Sequence, residues 1–546
     1  MGSPARNNRL IPIQQASRSE PQNLRVAAAV TITLLACYGL TLAPTVTFWD
    51  AGEFLAAIRS LGIPHPPGTP LFVLVGNVWA RLLSPVFGFA QSVNLLSAVS
   101  TAVACGILAH LMQKWTSQKC AAMAGGILAG LMSTVWLNAN ETEVYAPSLL
   151  LSVLLLLLAE KARESREARW YLMLAYLCGL GWSLQLSALV AAPAAFYLAF
   201  VAKSDLTDPR IPARNIATLL PAMIAVALLG ATATLFMLVR AKHDPAINQG
   251  NPATWQAFID VITRKQYQPV AMFPRQAPFY IQLGNMFEYA DWQIALGLHP
   301  DAPPSWLRTP FTILYAILGA AGIIWHKRRH APSWQVMMIL FVTATLGVVV
   351  YLNMKASPSY GDGFLPIGAK HEARERDYFF ALAFACWGLW AGGAAVRILA
   401  RISPRMRYAG VAVAVLPAFL NWSAVDRRTA SVDYAARDSA ISLLSSAPQH
   451  AVVFANGDND TYPEWYLQQA EGIRKDITIV TVPLLGAKWY REELARRYRL
   501  LPVEYVSDWR GLGATYARLC ETSRRLKRPI VTREVSGAPA VPAACK

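Results

Sequence analysis

Long apolar segments recur along the chain from about residue 25 to residue 423, and short polar or basic stretches separate them. A helix that spans a bilayer needs roughly 20 mostly apolar residues, so this pattern predicts an all-α polytopic membrane domain. By length alone, the stretch 170–202 fits either one long helix or two short crossings. With two crossings there, we expect about eleven transmembrane helices, at roughly 25–43, 89–113, 119–139, 145–161, 170–184, 186–202, 214–239, 308–326, 333–353, 377–399 and 408–423.

The segment 66–83 is apolar on one helical face, which carries Leu71, Val75, Val78 and Leu82. A one-sided apolar face is typical of a helix that lies in the membrane interface. Counting this segment as a span would also reverse the sidedness of every later loop. We therefore predict an interfacial helix here.

After residue 423 the pattern changes to short strand signals. Residues 451–455 and 477–482 are apolar runs of strand length, and residues 461–472 between them favour a helix. This order predicts a small α/β domain. The connector 456–460, Asn-Gly-Asp-Asn-Asp, leaves the carboxyl end of the first strand, where open α/β sheets bind ligands. The expected domains are a cytoplasmic segment 1–24, a transmembrane domain 25–423 and an extracytoplasmic α/β domain 424–546.

Composition and charge agree with a polytopic membrane protein. Of 546 residues, 54% are hydrophobic and 15% are charged, whereas soluble domains carry about 25% charged residues. The net charge of +17 does not indicate nucleic-acid binding, because most of the excess lies in short loops between spans, as in cytoplasmic loops. The basic residues that place the N-terminus and alternate loops in the cytoplasm are Arg6, Arg9, Arg18, Arg25, Lys114, Lys119, Lys161, Arg163, Arg166, Arg169, Lys203, Arg210, Arg214, Lys327, Arg328, Arg329, Arg397, Arg401, Arg405 and Arg407.

This orientation sends four loops and the tail to the outer side, at 44–88, 138–146, 240–307 and 354–376. The basic stretches that flank 170–202 must then share a compartment, which requires two crossings there. Loop 240–307 is too long for a passive connector. Its aromatic residues suit either sugar stacking or an aromatic belt at the membrane interface.

The cysteines and the common motifs give little information. Cys520 and Cys545 in the outward tail could pair in an oxidising compartment, and five others lie in or beside spans: Cys37, Cys105, Cys120, Cys178 and Cys386. The sequence has no CxxC, HExxH, GxGxxG or Walker pattern. We therefore assign no certain cofactor and no metal ligands, and a divalent cation stays an open alternative.

The first outward loop carries the most unusual chemistry. Asp50 and Glu53 follow the first span at i and i+3, so on a helix they share one face. Such a pair supplies a general base beside a carboxylate that orients an acceptor or holds a cation. Alternatively, Asp50 caps a helix that begins at Ala51, and Glu53 is favourable in its first turn. His65 opens a stiff Pro-rich turn and is either a ligand contact or a structural hydrogen-bonding residue.

These residues carry a resemblance. Residues 49–54, Trp-Asp-Ala-Gly-Glu-Phe, and 65–71, His-Pro-Pro-Gly-Thr-Pro-Leu, resemble a family of polytopic membrane proteins, long of unknown function, whose animal member is a protein O-mannosyltransferase. Residues 141–146 and 374–379 are similar to later outward loops of that family. Residues 456–461 are similar to the tail of many bacterial members. The opening also looks like other protein O-mannosyltransferases, which are C-type glycosyltransferases that use lipid-phosphate-linked sugars.

The resemblance implies transfer of a sugar, most simply mannose, from a polyprenyl-phosphate carrier to a protein or glycan acceptor on the periplasmic or lumenal side. It also implies a bacterial inner membrane with the C-terminal domain in the periplasm. In the other protein O-mannosyltransferases the two acids are adjacent, whereas here two residues separate Asp50 from Glu53. We expect Asp50 to deprotonate the acceptor hydroxyl and Glu53 to assist.

Cations are expected to stabilise the lipid phosphate as it leaves. The candidates are His65 and the cluster Lys370, His371, Arg374 and Arg376, of which the resemblance favours the two arginines. These arginines could instead anchor the membrane edge or form salt bridges with Glu372 and Glu375.

Two further sets of residues, each with two acids, are candidates for substrate contacts. Glu141, Glu143 and Tyr145 could line the acceptor cavity, although the two acids also suit the start of a helix. Asp458 and Asp460 could bind a cation or a sugar hydroxyl. In the structural alternative, Thr461 and Glu464 form a capping box and Gly457 provides the turn.

Two rival functions remain open from sequence. One is a lipid or sugar-lipid transporter, and the other is a non-catalytic membrane protein whose tail binds a partner. A transporter should place ionisable groups near the bilayer midplane. Here the spans are nearly free of charge and the acids crowd one side, which favours an enzyme.

Overall fold

A computed structural model describes residues 20–202, 217–268, 271–361, 365–366, 368–532 and 545. The predicted cytoplasmic segment 1–24 lies almost wholly outside these residues. The orientation residues outside them are Arg6, Arg9, Arg18, Lys203, Arg210 and Arg214.

The described chain is mostly helical, and it is a multi-pass membrane protein. Within the described residues, eight helices are long and apolar enough to cross a membrane, or nine if one bent pair is a single span. The eight are Leu24–Thr41, Pro70–Phe87, Phe89–Thr116, Tyr145–Ser165, Leu220–Ala241, Thr309–Arg329, Ala331–Leu352 and Asp377–Ile402. The bent pair is Lys119–Leu131 and Ser133–Asn140, with an angle of 65° between its halves.

The predicted count of eleven spans is therefore not confirmed. Three predicted spans correspond to shorter or interrupted helices: Ala168–Leu184, the broken run Leu186–Val201, and the series Arg407–Val415, Pro417–Leu420 and Trp422–Val425. The helix Pro70–Phe87, predicted to be interfacial and to end near residue 83, is long enough to cross. Because this helix changes the number of crossings, the sidedness of the loops stays a prediction.

Small residues bring the central helices together. A Cβ atom at Gly125 would lie 2.3 Å from the carbonyl oxygen of Leu389, and one at Gly392 would lie 2.6 Å from that of Ala124. Only glycine allows the two backbones this approach. Helices pack this way in membranes, where close contact rather than water exclusion drives association.

Buried polar side chains fix the loop 138–146 to the end of the first span. Asn140 donates hydrogen bonds to Thr41 Oγ1 (2.9 Å) and to the carbonyl of Val425 (2.8 Å). Thr142 donates to Asn94 Oδ1 at 2.6 Å, and Asn94 donates to the carbonyl of Ala43 at 2.9 Å. These bonds hold the end of the first span against the loop 138–146.

Outside the candidate spans, the loops 44–88 and 240–307 contain the helices Ala51–Ser60, Trp255–Ile262 and Phe279–Asp291. The tail contains a parallel sheet of β1 (Val452–Ala455), β2 (Thr478–Thr481) and β3 (Ile530–Thr532), in the order β2-β1-β3. The fold class predicted from sequence is confirmed, and β3 is an addition to it. Cys520 and Cys545 form a disulfide. The helices of the tail are Ala435–Ser446, Tyr462–Tyr466, Lys488–Arg496, Glu504–Ser507 and Leu512–Arg525.

Candidate active site

Asp50 forms a buried ion pair at the start of the helix Ala51–Ser60. The helix begins at Ala51 with Glu53 in its first turn, as the capping alternative expected, but the Asp50 side chain makes no capping hydrogen bond. Instead, Oδ2 accepts a hydrogen bond from Arg374 Nη2 at 2.7 Å. The Arg374 guanidinium lies over the rings of Trp49 (5.7 Å) and Tyr378 (5.3 Å), in the range of cation–π contacts. The two aromatic rings therefore position the arginine against the acid.

The electrostatic surroundings keep Asp50 ionised. Burial opposes the charge of Asp50, which is only 6% exposed. The positive charges of His65 and Arg374 outweigh this and hold the pKa of Asp50 below its ordinary value. No donor among the described residues hydrogen-bonds Oδ1 of Asp50. A carboxylate with one oxygen anchored and the other available can accept a proton from a substrate.

Glu53 is fully buried, and its carboxylate is saturated by protein donors. Oε1 accepts from the backbone N–H of His65 at 2.8 Å and from the side-chain amide of Gln249. Oε2 lies 2.5 Å from His65 Nδ1. Because its hydrogen-bonding capacity is used in this way, Glu53 anchors His65 rather than facing a substrate.

His65 is held as a cation by this pair. Burial lowers the pKa of His65, but the charge of Glu53 and its hydrogen bond raise it further, to about 9. Among the described residues, no acceptor hydrogen-bonds the second ring nitrogen, Nε2. The imidazolium therefore offers one free N–H donor beside Asp50.

The loop 138–146 brings Glu143 within electrostatic reach of Asp50 and Arg374. Its Oε2 is buried and has no hydrogen-bond partner among the described residues. Burial, followed by the negative charges of Asp50 and Glu141, raises the pKa of Glu143. Glu141 itself pairs with Arg427 at 3.0 Å. Tyr145 packs against Tyr378 with ring centroids 4.5 Å apart.

The four cations predicted in 370–376 separate into two pairs. Arg374 and Arg376 both lie within electrostatic reach of Asp50. Arg376 donates to the hydroxyl of Tyr378 at 3.0 Å and lies 3.8 Å from Glu372. By contrast, Lys370 is exposed. His371 Nδ1 lies 2.7 Å from the carbonyl of Ser357, so the structure does not bring these two residues to the acids.

The connector of the tail also reaches the site. Asp458 lies within electrostatic reach of Asp50, Arg374 and His65, and Asp460 lies in the same short turn. The structural alternative holds only in part. Thr461 makes no capping hydrogen bond, whereas Gly457, with an extended backbone (φ −163°), begins the turn in which its carbonyl accepts from the N–H of Asp460 at 3.2 Å.

Two residues at the site were missed from sequence. Gln249 lies in the polar run Asn-Gln-Gly-Asn, 248–251, which interrupts a long loop and was a usable signal. Tyr378 lies within the recognised motif 374–379, but nothing in the sequence shows that it contacts both arginines. Within the described part of the chain, no three His, Cys, Asp or Glu side chains group to hold a metal ion.

Two family models match the parts of the chain that contain Asp50 and Asp458. The model of the protein O-mannosyl-transferase TMEM260 N-terminal domain matches residues 50–208, and that of TMEM260-associated domain 2 matches residues 436–505. Protein O-mannosyl-transferase tmem260 of Dictyostelium discoideum is 20% identical over 85% of this chain and 58% of its own length. Protein O-mannosyl-transferase TMEM260 of Mus musculus is 24% identical over 87% and 65%. The chain thus spans less than two thirds of either relative.

Solved structures share the fold. The oligosaccharyltransferase AglB from Archaeoglobus fulgidus, in complex with an inhibitory peptide and a dolichol-phosphate, matches with a TM-score of 0.52 and 11% identity, over 94% of this chain and 70% of its own. ArnT from Cupriavidus metallidurans in the apo state matches with a TM-score of 0.50 and 10% identity, over 88% and 92%. The family models and relatives therefore confirm the resemblance stated from the motifs, and the chain shares the fold of these two solved enzymes.

Proposed function

From this similarity to protein O-mannosyl-transferase TMEM260, we propose that the protein is a membrane glycosyltransferase. It moves mannose from a polyprenyl-phosphate carrier to a hydroxyl group of a protein or glycan acceptor. The observation that carries the proposal is the Asp50–Arg374 ion pair, in which a buried, ionised carboxylate keeps one oxygen available beside several cations. Such an arrangement suits removal of a proton next to a phosphate leaving group.

The proposed reaction is a single displacement. The acceptor oxygen attacks C1 of the sugar while Asp50 Oδ1 takes the hydroxyl proton. The bond between C1 and the phosphate oxygen breaks, and the lipid phosphate leaves with an additional negative charge. One glycosidic bond forms as one glycosyl–phosphate bond breaks, and the sugar configuration inverts.

The cations have separate roles in this proposal. Arg374 keeps Asp50 ionised and oriented. The free N–H of His65 and the remaining donors of Arg376 contact the leaving phosphate, because charged donors stabilise developing negative charge in a partly buried site. Glu53 and Gln249 hold His65 in position. Tyr145 and Glu143 form the wall on the side of the second loop.

The proposal includes a location. The N-terminus lies in the cytoplasm, and the site and the tail face the periplasm of a bacterial inner membrane. A lipid carrier keeps its chain in the bilayer and its sugar at this surface, where the predicted outward loops meet.

Sugar transfer by the purified protein tests the proposal. In nanodiscs with radiolabelled polyprenyl-phosphate mannose and a hydroxyl acceptor, the unchanged protein should form labelled product. Asp50→Asn keeps the shape but cannot take the proton, so kcat should fall by about 100-fold or more. Asp301→Asn is the matched control, because that side chain is 80% exposed on another outward segment. Normal turnover by Asp50→Asn would remove Asp50 from the base role.

A further inference from the structure

The connector of the tail is packed directly on the acidic motif of the membrane domain. Asn459 Oδ1 accepts a hydrogen bond from the backbone N–H of Trp49 at 2.6 Å. Trp49 has a φ of +64°, a left-handed conformation that is unfavourable for a bulky residue. The hydrogen bond from the tail therefore supports a strained turn that immediately precedes Asp50.

Gly52 is the closest contact between the two parts. A Cβ atom there would lie 2.4 Å from the carbonyl oxygen of Tyr462 and 2.8 Å from the backbone nitrogen of Pro463. These are backbone atoms, which cannot move aside as a flexible side chain can. The glycine between the two acids of the motif is thus required by the tail and not by the helix that contains it.

A second attachment holds the tail to the loop that supports Glu53. Asp244 accepts hydrogen bonds from Arg496 and Arg497, each at 2.5 Å. Arg497 also donates to the carbonyl of Ala246 at 3.0 Å. Three residues later in the same loop, Gln249 donates to Glu53. The tail is therefore fixed on both sides of the candidate site.

Between these attachments, the connector presents Asp458 to the site. The side chain is exposed to solvent, yet the charges of Asp50, Arg374 and His65 act on it. A carboxylate accepts hydrogen bonds from hydroxyl groups and repels a phosphate. Among the reactants of glycosyl transfer, the hydroxyl groups belong to the donor sugar and to the acceptor.

We propose that residues 456–462 form one wall of the active site and that Asp458 is a positioning residue which binds a hydroxyl group of a reactant. This inference rests on the proposed glycosyl transfer and extends it to the tail. The membrane domain supplies the base and the cations, and the tail supplies the contact that orients a hydroxyl-bearing group.

Asp458→Asn tests the contact, because the exposed side chain can change without loss of folding. The amide oxygen can still accept a hydrogen bond, but a neutral acceptor binds a hydroxyl group more weakly than a charged one, so KM for one reactant should rise about tenfold, while kcat stays within about twofold. A raised KM for the polyprenyl-phosphate sugar identifies the donor sugar as the source of the hydroxyl, and a raised KM for the acceptor identifies the acceptor. Unchanged KM for both reactants overturns the proposal.

Gly52→Ala tests whether the packing of residues 456–462 against the helix Ala51–Ser60 matters for transfer. The substitution adds one methyl group at this contact and no polar or charged group. The connector should be displaced, which increases hydrogen exchange of residues 456–466, and transfer should fall about tenfold or more. Gly486→Ala is the matched control in the tail, since a Cβ there meets no atom within 4 Å. Wild-type transfer by Gly52→Ala, with or without increased exchange, contradicts the wall.

The two proposals fail in different ways. If the unchanged protein transfers no sugar from any polyprenyl-phosphate donor, the proposed function fails. If it transfers sugar and Asp458→Asn and Gly52→Ala behave as the unchanged protein does, only the role of the tail fails.

Discussion

At the scale of residues, the two acids of the motif have different environments. Asp50 keeps one oxygen available and pairs with an arginine, whereas the two oxygens of Glu53 contact His65 and Gln249. Sequence spacing alone left open which acid takes the proton. The structure supports the choice of Asp50, because a saturated and fully buried carboxylate cannot approach a substrate hydroxyl.

Arg374→Gln should change the pH dependence of transfer. The charges of His65 and Arg374 lower the pKa of Asp50, and the reaction needs Asp50 deprotonated. Removal of one of these charges raises that pKa, so the acid limb of the kcat/KM profile should move to higher pH. Arg427→Gln, which removes the partner of Glu141, is the control and should leave the limb in place. An unmoved limb in Arg374→Gln would show that this ion pair does not set the ionisation of the base.

The Glu53–His65 pair should make stability depend on pH. The folded pKa of His65, about 9, lies above its ordinary value of about 6.5. Its contribution is therefore complete below about pH 6.5 and is lost as pH rises through 9. The thermal unfolding temperature should fall by several degrees over that window. Glu53→Gln should be less stable at neutral pH and should show a much smaller fall, whereas His371→Gln should retain it.

At the scale of elements, most of the fold followed from the apolar pattern. The spans predicted at 89–113, 145–161, 308–326, 333–353 and 377–399 agree with the structure, as do β1 and β2. The kink after Leu131 was not predictable, because no proline marks it, and β3 has only three residues after a basic run. The pairing of Asp50 with Arg374 spans 324 positions and depends on helix packing that no local pattern encodes.

Gly392→Ala tests the helix packing that positions these elements. The added Cβ would lie 2.6 Å from the Ala124 carbonyl, so two central helices must separate. We expect a loss of about 1–3 kcal/mol, as for overpacked cores. The control, Gly39→Ala, meets no atom within 4 Å and should be neutral or slightly stabilising because alanine favours helix. Both unfolding free energies are measurable by denaturant titration in micelles.

At the scale of the whole molecule, the number of crossings decides which compartment contains the site. The shorter apolar helices and Pro70–Phe87 leave more than one count compatible with the fold. The positive loops predict an outward site, but several of the residues that carry this prediction lie outside the described part of the chain. Sidedness is therefore a property to be measured on the intact membrane.

Cysteine labelling measures this sidedness. In a protein whose five free cysteines are replaced by alanine, Asp301→Cys and Val503→Cys should react with a membrane-impermeant maleimide in intact spheroplasts. Both positions are accessible, with exposures of 80% and 79%. Arg401→Cys should react only after the membrane is permeabilised. The reverse pattern would place the site in the cytoplasm and exclude a periplasmic acceptor.

The hydrogen bonds from Arg496 and Arg497 to Asp244 limit how the tail can be separated from the membrane domain. A protein shortened after residue 423 would keep its base and every cation assigned to the phosphate. It would nevertheless lose the hydrogen bond from Trp49 to Asn459 at the turn before Asp50. It would also lose the bonds of Arg496 and Arg497 to the loop that carries Gln249, the partner of Glu53. The tail is therefore not an exchangeable module, and a chimera with a foreign tail should work only if that tail supplies both attachments.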